Sequence, residues 1–192
     1  MSKNPAASQF PGIQYVFLDR DGVINRKPPE GEYVGDWDHF HLLFGVEAAI
    51  AQLNRSGRRV VVVSNQRGIA LGLYSTSDVE MIHQRLNRHL ADHGAKIDAF
   101  YFCPHDKNMC NCRKPKTGLF EEAFRDFPGA SASNSILVGD SISDIEAARN
   151  LHMPAIFIEG DPNFQKAGAE KAAQLADAVT SSLAEAVRLY LS

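Results

Sequence analysis

Along this chain, short runs of apolar and β-branched residues alternate with longer segments whose apolar positions recur three and four apart. The first pattern suits strands buried in a sheet, and the second suits helices lying on it. Runs at 14–18, 59–63, 99–102, 135–138, 155–158 and, more weakly, 178–179 predict six strands. Between the second and third, Val79, Ile82, Leu86 and Leu90 form one apolar stripe; Phe120, Phe124 and Phe127 repeat the spacing before the fourth. Ser77 with Glu80, Ser143 with Glu146 and Ser182 with Glu185 fit the Ser-x-x-Glu capping box, which satisfies unpaired amides of a first helical turn. Strands alternating with amphipathic helices imply right-handed crossovers and a doubly wound parallel α/β sheet covered on both faces. Such a sheet binds ligands outside the carboxyl ends of its strands.

Composition narrows the partners. With 192 residues, 44% hydrophobic and 22% charged, the chain reads as one domain over 1–192, with a flexible N-terminal stretch at 1–12. A net charge of −3, from 20 basic against 23 acidic residues, and the lack of a basic run argue against a nucleic-acid partner. The longest apolar runs, such as 60–63, fall far short of the roughly 20 residues a membrane span needs. The first nine residues are polar, contain Pro5 and lack the apolar core of a secretory signal. A cytoplasmic protein is expected, with no membrane partner.

Three sequence signatures fall at predicted strand ends. After the first strand come Asp19 and Asp21, two residues apart at a Gly turn. Gathered carboxylates favour a hard cation such as Mg²⁺, although Asp and Gly also favour plain solvated turns. The second strand runs into Ser64-Asn65-Gln66-Arg67-Gly68, a hydroxyl, two amides and a cation. The fourth ends in Gly139-Asp140-Ser141-Ile142-Ser143-Asp144, bringing further acids beside a helix start whose amides favour anions. Arg113-Lys114-Pro115 adds a pair of cations. Together these give acids for a metal, donors for phosphate oxygens and a lysine for remaining charge.

All three cysteines lie in one segment, 103–112. Cys103 and His105, then Cys110 and Cys112, supply three thiolates and an imidazole, a tetrahedral set for structural Zn²⁺. The alternative is buried free thiols beside a surface histidine, a disulfide being disfavoured in the cytosol. Because Cys112 adjoins Arg113 and Lys114, a metal-pinned loop would hold both cations in place. The remaining histidines, His39, His41, His83, His89, His93 and His152, show no metal-ligand spacing and read as surface or helix-end residues. Trp37 and the phenylalanines read as packing residues.

From Tyr15 to Val179 the ordered set resembles the haloacid dehalogenase superfamily of phosphoaspartate-forming phosphatases. That resemblance implies a Rossmann-like sheet with a minimal cap, since 26–40 is too short for a large one. It makes Asp19 the nucleophile and Asp21 the general acid and base. Ser64 and Lys114 become the phosphate-stabilising residues, and Asp19, Asp21 and Asp140 hold Mg²⁺. Asp144 would position metal-bound water or only cap its helix. The combination Asp-Arg-Asp-Gly-Val-Ile-Asn, Gly31-Glu32-Tyr33-Val34, Ser-Asn-Gln-x-Gly-Ile-Ala and Cys-x-Cys-Arg-Lys-Pro is similar to the heptose bisphosphate phosphatases, near relatives of the histidinol-phosphate phosphatases. It implies removal of the 7-phosphate of D-glycero-D-manno-heptose 1,7-bisphosphate in lipopolysaccharide and surface-glycan synthesis. The stretch 25–34, with Lys27, and Arg113 would recognise the sugar, and Asn65 and Gln66 would line the phosphate pocket.

Two departures stand out. The His105 to Cys110 interval is short, nearer the histidinol type, and Arg67 replaces a commonly small residue. Arg67 would fork onto a second phosphate or point into water, the commoner fate of an exposed arginine. The alternatives are therefore histidinol phosphate or another small phosphomonoester as substrate and, outside enzymes, a zinc-stabilised binding module. The expected partner is a small phosphorylated metabolite, met by a monomer.

Overall fold

The computed structural model describes residues 9–29, 31–165 and 167–191. Six strands appear where the apolar runs predict them: β1 (Tyr15–Leu18), β2 (Arg59–Asn65), β3 (Ala99–Cys103), β4 (Ser135–Gly139), β5 (Ala155–Ile158) and β6 (Ala178–Thr180). They form one sheet in the order β3-β2-β1-β4-β5-β6, and every neighbouring pair is parallel. The chain therefore runs outward from β1 to one edge through β2 and β3, returns to β4, and runs out to the other. Because β1 lies between β2 and β4, the crevice at their carboxyl ends is a topological switch point. The expected doubly wound fold is present.

Alternation along the strands divides two cores. Val16, Leu18, Val60, Val62, Ile136 and Val138 face one side, packed with residues of α1 (Val46–Arg55) and α2 (Thr76–Ala91). Phe17, Val61, Val63, Leu137 and Phe157 face the other, with α3 (Gly118–Asp126), α4 (Ile142–Asn150) and α5 (Ala169–Leu175). Burial on both faces explains why the strands read as continuous apolar runs. A short α6 (Leu183–Ala186) and the π-helical turn Val187–Leu191 close the first core. Val79, Ile82, Leu86 and Leu90 are buried as the stripe predicts, but His83 is buried with them, against the surface position expected for it. Its ring stacks on Phe100 with centroids 4.3 Å apart.

Two predicted caps are displaced. The caps of α2 and α4 are Ser75 with Asp78 and Ser141 with Asp144, two residues earlier than Ser77 and Ser143. The shorter Asp reaches back to the cap amide as Glu does, so Ser-x-x-Asp competes with the overlapping Ser-x-x-Glu. Ser182 caps α6 as expected, accepting from the Glu185 amide. The strand β2 runs two residues past its apolar part because Ser64 and Asn65 pair with Phe102 and Cys103 of β3. Of the stretch expected to be a flexible N-terminus, residues 1–8 lie outside the described residues. Among the described residues no helix is long and apolar enough to cross a membrane.

Candidate active site

The carboxyl ends of β1, β2 and β4 deliver their polar signatures to one cavity of about 510 Å³, lined by Asp19, Asp21, Ser64, Asn65, Arg113 and Lys114 among others. Lys114, 95 residues after Asp19, is its electrostatic centre. Its buried Nζ donates to Asp19 Oδ1 at 2.9 Å and to the Val63 carbonyl at 2.7 Å, and meets Asp144 Oδ1 at 2.5 Å. Asn65 accepts from the Lys114 amide at 3.0 Å and donates to its carbonyl at 3.1 Å, so this cavity-lining side chain also fixes the lysine's backbone. Lys27 crosses from the loop after β1 to Asp140 Oδ2. Gly22 permits the close approach of Asp140. Its φ is +100° and a Cβ there would meet Asp140 Oδ2 at 2.0 Å.

Asp19, Asp140 and Asp144 each present an oxygen within 4.8 Å of the others. Burial first, then Asp144, pushes the Asp19 carboxyl up to about 7, against the opposing pull of Lys114. The same neighbours, Asp19 and Asp144, outweigh burial and hold Lys114 protonated. Three carboxylates share two ammonium groups, an imbalance that a divalent cation with oxygen ligands corrects. The donor set thus fits Mg²⁺. Asp144 caps α4 through Oδ2, one of the two duties weighed for it, and also meets Lys114 through Oδ1, a contact the sequence did not suggest.

Asp21 is not among the converging oxygens, although the sequence pairs it with Asp19 on one cation. The strand ends at Leu18 and the chain turns, so strand alternation no longer applies. Its carboxylate instead receives Arg20 Nη2 at 3.0 Å on both oxygens, Asn25 Nδ2 at 2.8 Å and Gln66 Nε2 at 3.1 Å. Burial alone would raise its pKa, but the Arg20 charge and these hydrogen bonds hold it below the ordinary carboxylate range. Arg20 is completely buried, with a further bond to the Val34 carbonyl at 3.2 Å.

Gln66 links this cluster to Ser64, whose Oγ accepts from Nε2 at 2.8 Å, and to Tyr74, whose hydroxyl donates to Oε1 at 2.8 Å. Sequence reasoning assigned nothing to Tyr74. Its ring fills a slot that only Gly35 and Gly68 leave open: a Cβ on either would lie 2.6 Å or 2.1 Å from the ring. Tyr33, Lys107 and the segment 163–165 also line the cavity. Glu32 and Tyr33 of the noted Gly31-Glu32-Tyr33-Val34 stretch gave a signal; the 163–165 segment, Asn-Phe-Gln without a pattern, gave none.

The 103–112 loop gathers all four expected ligands. Cys103 Sγ lies 3.5 Å from Cys110 Sγ and 3.7 Å from His105 Nδ1, which is 3.3 Å from Cys112 Sγ. No disulfide links the cysteines. A closed thiol and imidazole cluster of this size fits Zn²⁺. Burial opposes ionisation of Cys110, but hydrogen bonds from the Arg113 amide and the neighbouring thiols bring it down to about 6. Arg67 does not simply point into water: it helps to line the cavity and is engaged there. It bonds through Nε to Asp106 Oδ1 at 2.5 Å, fastening the loop after β2 to the cysteine loop. Arg113 and Lys107 remain at the cavity wall.

The family model described as polynucleotide kinase 3 phosphatase matches residues 15–179. A D-glycero-alpha-D-manno-heptose-1,7-bisphosphate 7-phosphatase of Mycobacterium bovis is 45% identical over 137 residues, 71% of this chain and 72% of that protein. The D-glycero-beta-D-manno-heptose-1,7-bisphosphate 7-phosphatase of Vibrio cholerae is 43% identical over 141 residues, 69% of this chain and 74% of that one. Among solved structures, the D,D-heptose 1,7-bisphosphate phosphatase from B. bronchiseptica, complexed with magnesium and phosphate, aligns with a TM-score of 0.78. It is 31% identical, over 93% of this chain and 98% of that chain.

Proposed function

Because the chain belongs to the polynucleotide kinase 3 phosphatase family, on the haloacid dehalogenase fold, and is a phosphoric monoester hydrolase, we propose its substrate and its mechanism. It removes the 7-phosphate of D-glycero-D-manno-heptose 1,7-bisphosphate through a phosphoaspartate on Asp19, in the cytoplasm. The observation that carries the mechanism is the meeting of Lys114, Asp144 and Asp140 at Asp19.

Asp19 attacks phosphorus in line, forming an acyl phosphate as the bond to the sugar oxygen breaks. Asp21 donates a proton to that oxygen, then takes one from the water that attacks the acyl phosphate and regenerates Asp19. In the free site Arg20 keeps Asp21 ionised; an arriving phosphate dianion raises its affinity for the proton it must give. Lys114 stabilises the charge of the transferring phosphoryl group and Ser64 donates to it. Asp19, Asp140 and Asp144 hold Mg²⁺, which when bound offsets the repulsion between carboxylates and phosphate. Cys103, His105, Cys110 and Cys112 hold Zn²⁺ as a structural ion, and the Arg67–Asp106 bond ties that loop to the one carrying Gln66.

A bisphosphate suits the cavity because cations remain beyond the two ammonium groups that the acids already share: Arg67, Lys107 and Arg113 also line it and would meet a second anionic group. The heptose-phosphatase relatives at 45% and 43% identity support the same substrate. The test is phosphate release from both anomers of the heptose bisphosphate, histidinol phosphate and a 3′-phosphorylated oligonucleotide, compared by kcat/KM. One heptose anomer ranks first on this reading. A preference for either of the other two overturns the substrate assignment and leaves the hydrolase chemistry standing.

A further inference from the structure

We propose that Glu47, His89 and His93 form a second transition-metal site, separate from the phosphatase cavity and the cysteine loop, that takes a borderline divalent ion of the Zn²⁺ class. Glu47 stands in the first turn of α1 and His89 in the last turn of α2, with His93 two residues past that helix. Residues four apart on a helix lie one above the other, and the two imidazole centroids are 4.7 Å apart. Glu47 reaches them from 42 residues away, Oε1 standing 3.2 Å from His89 Nε2. One donor atom from each residue lies within 4.8 Å of the other two.

The hydrogen bonding independently points to a metal. His93 Nδ1 lies 2.9 Å from the His89 carbonyl. A carbonyl only accepts, so Nδ1 donates to it and leaves Nε2 as the ring atom to meet a metal; at His89 the proton that Nε2 shares with Glu47 Oε1 would leave as the ion binds. Donation of the second ring N–H to a backbone carbonyl is the usual support for a metal-binding histidine. Two imidazoles and one carboxylate with an open fourth position are a zinc donor set, and imidazole selects such ions over Mg²⁺. The C-terminal end of α2 also favours a cation. A bound ion would clamp the start of α1 to the end of the helix that follows the Gln66 to Tyr74 loop. None of the three residues lines the phosphatase cavity.

The full-length chain, stripped with chelator, is titrated with Zn²⁺ in excess Mg²⁺ by calorimetry and native mass spectrometry, alongside His93→Ala and Glu47→Gln. Wild type binds one equivalent more than His93→Ala, or binds it at least about 10–100-fold more tightly, the loss that even an outer-shell partner causes. Glu47→Gln weakens the same equivalent, and both variants keep wild-type phosphatase activity and metal-free melting temperature. With Co²⁺, the extra equivalent adds no thiolate charge-transfer absorption and persists in Cys110→Ser. Equal stoichiometry and affinity in wild type and His93→Ala, or loss of the extra equivalent in Cys110→Ser alone, overturns the site.

Discussion

Asp19 and Asp21 are two residues apart, yet the two sides of the cavity they occupy are built differently. The Asp19 side is assembled over long range, from Lys114, Asp140 and Asp144, and holds more acid than base. Its carboxyl rises to about 7. The Asp21 side is largely local and saturated: Arg20 and Asn25 are sequence neighbours, and Gln66 completes the set. Its carboxyl is held low. One side is electrostatically incomplete and suited to receive a cation and a phosphate. The other is already satisfied and holds in place the carboxylate proposed to carry the proton. Identical side chains thus acquire different chemistry from how far away their partners come.

Four substitutions sharpen that contrast. Asp19→Asn removes the proposed nucleophile and lowers kcat by on the order of 10⁴-fold or more with the fold intact by circular dichroism. Retained turnover would erase the distinction between the two acids. Arg20→Met leaves Asp21 without its buried counter-charge and lowers unfolding free energy by about 3–5 kcal/mol in urea titration. A loss near 1 kcal/mol would show that the Asp21 side does not depend on that pair.

His83 lies close enough to feel the same arginine. Burial first, then the Arg20 charge, pushes its pKa down to about 3, so it is neutral in the fold but titrates near its ordinary value when unfolded. Its contribution is therefore complete above about pH 6.5 and lost as pH falls toward 3, amounting to roughly 3 kcal/mol by pH 4. His83→Phe, keeping the stack on Phe100, flattens the acid limb of a stability-against-pH curve measured by urea titration. An unchanged limb would contradict the assignment. The smallest effect is that of Tyr74→Phe. Tyr74, pushed up to about 12 by burial, stays a neutral donor; loss of its bond to Gln66 costs about 0.5–1.5 kcal/mol. It is read as a several-fold fall in kcat at unchanged KM.

The same contrast explains what the sequence made legible. Strands buried on both faces leave runs that need no alignment to see, and β1, β2 and β4 bring Asp19, Ser64 and Asp140 to one rim through their order alone. The clustering of Cys103, His105, Cys110 and Cys112 was legible because the ligands are near neighbours. What composition and period do not encode is pairing across tens of residues. The hold of Asn65 on Lys114, Asp144 as partner to that lysine, Arg67 against Asp106 and Tyr74 behind Gln66 all arise from three-dimensional packing. His83 was misplaced for a related reason: it sits within an apolar stripe, and a histidine there titrates so low that it behaves as an aromatic. The displaced caps show the limit at short range, where two overlapping Ser-x-x-acid frames compete and only the geometry of the turn decides.

The proposed phosphoaspartate is the most direct object of measurement. Enzyme mixed with the heptose bisphosphate, quenched in acid within a turnover and reduced with borohydride, converts an aspartyl phosphate to homoserine, which peptide mass spectrometry locates. The account predicts homoserine at position 19, absent from Asp19→Asn. Homoserine at Asp21 or Asp140, or none under conditions of rapid turnover, would contradict it.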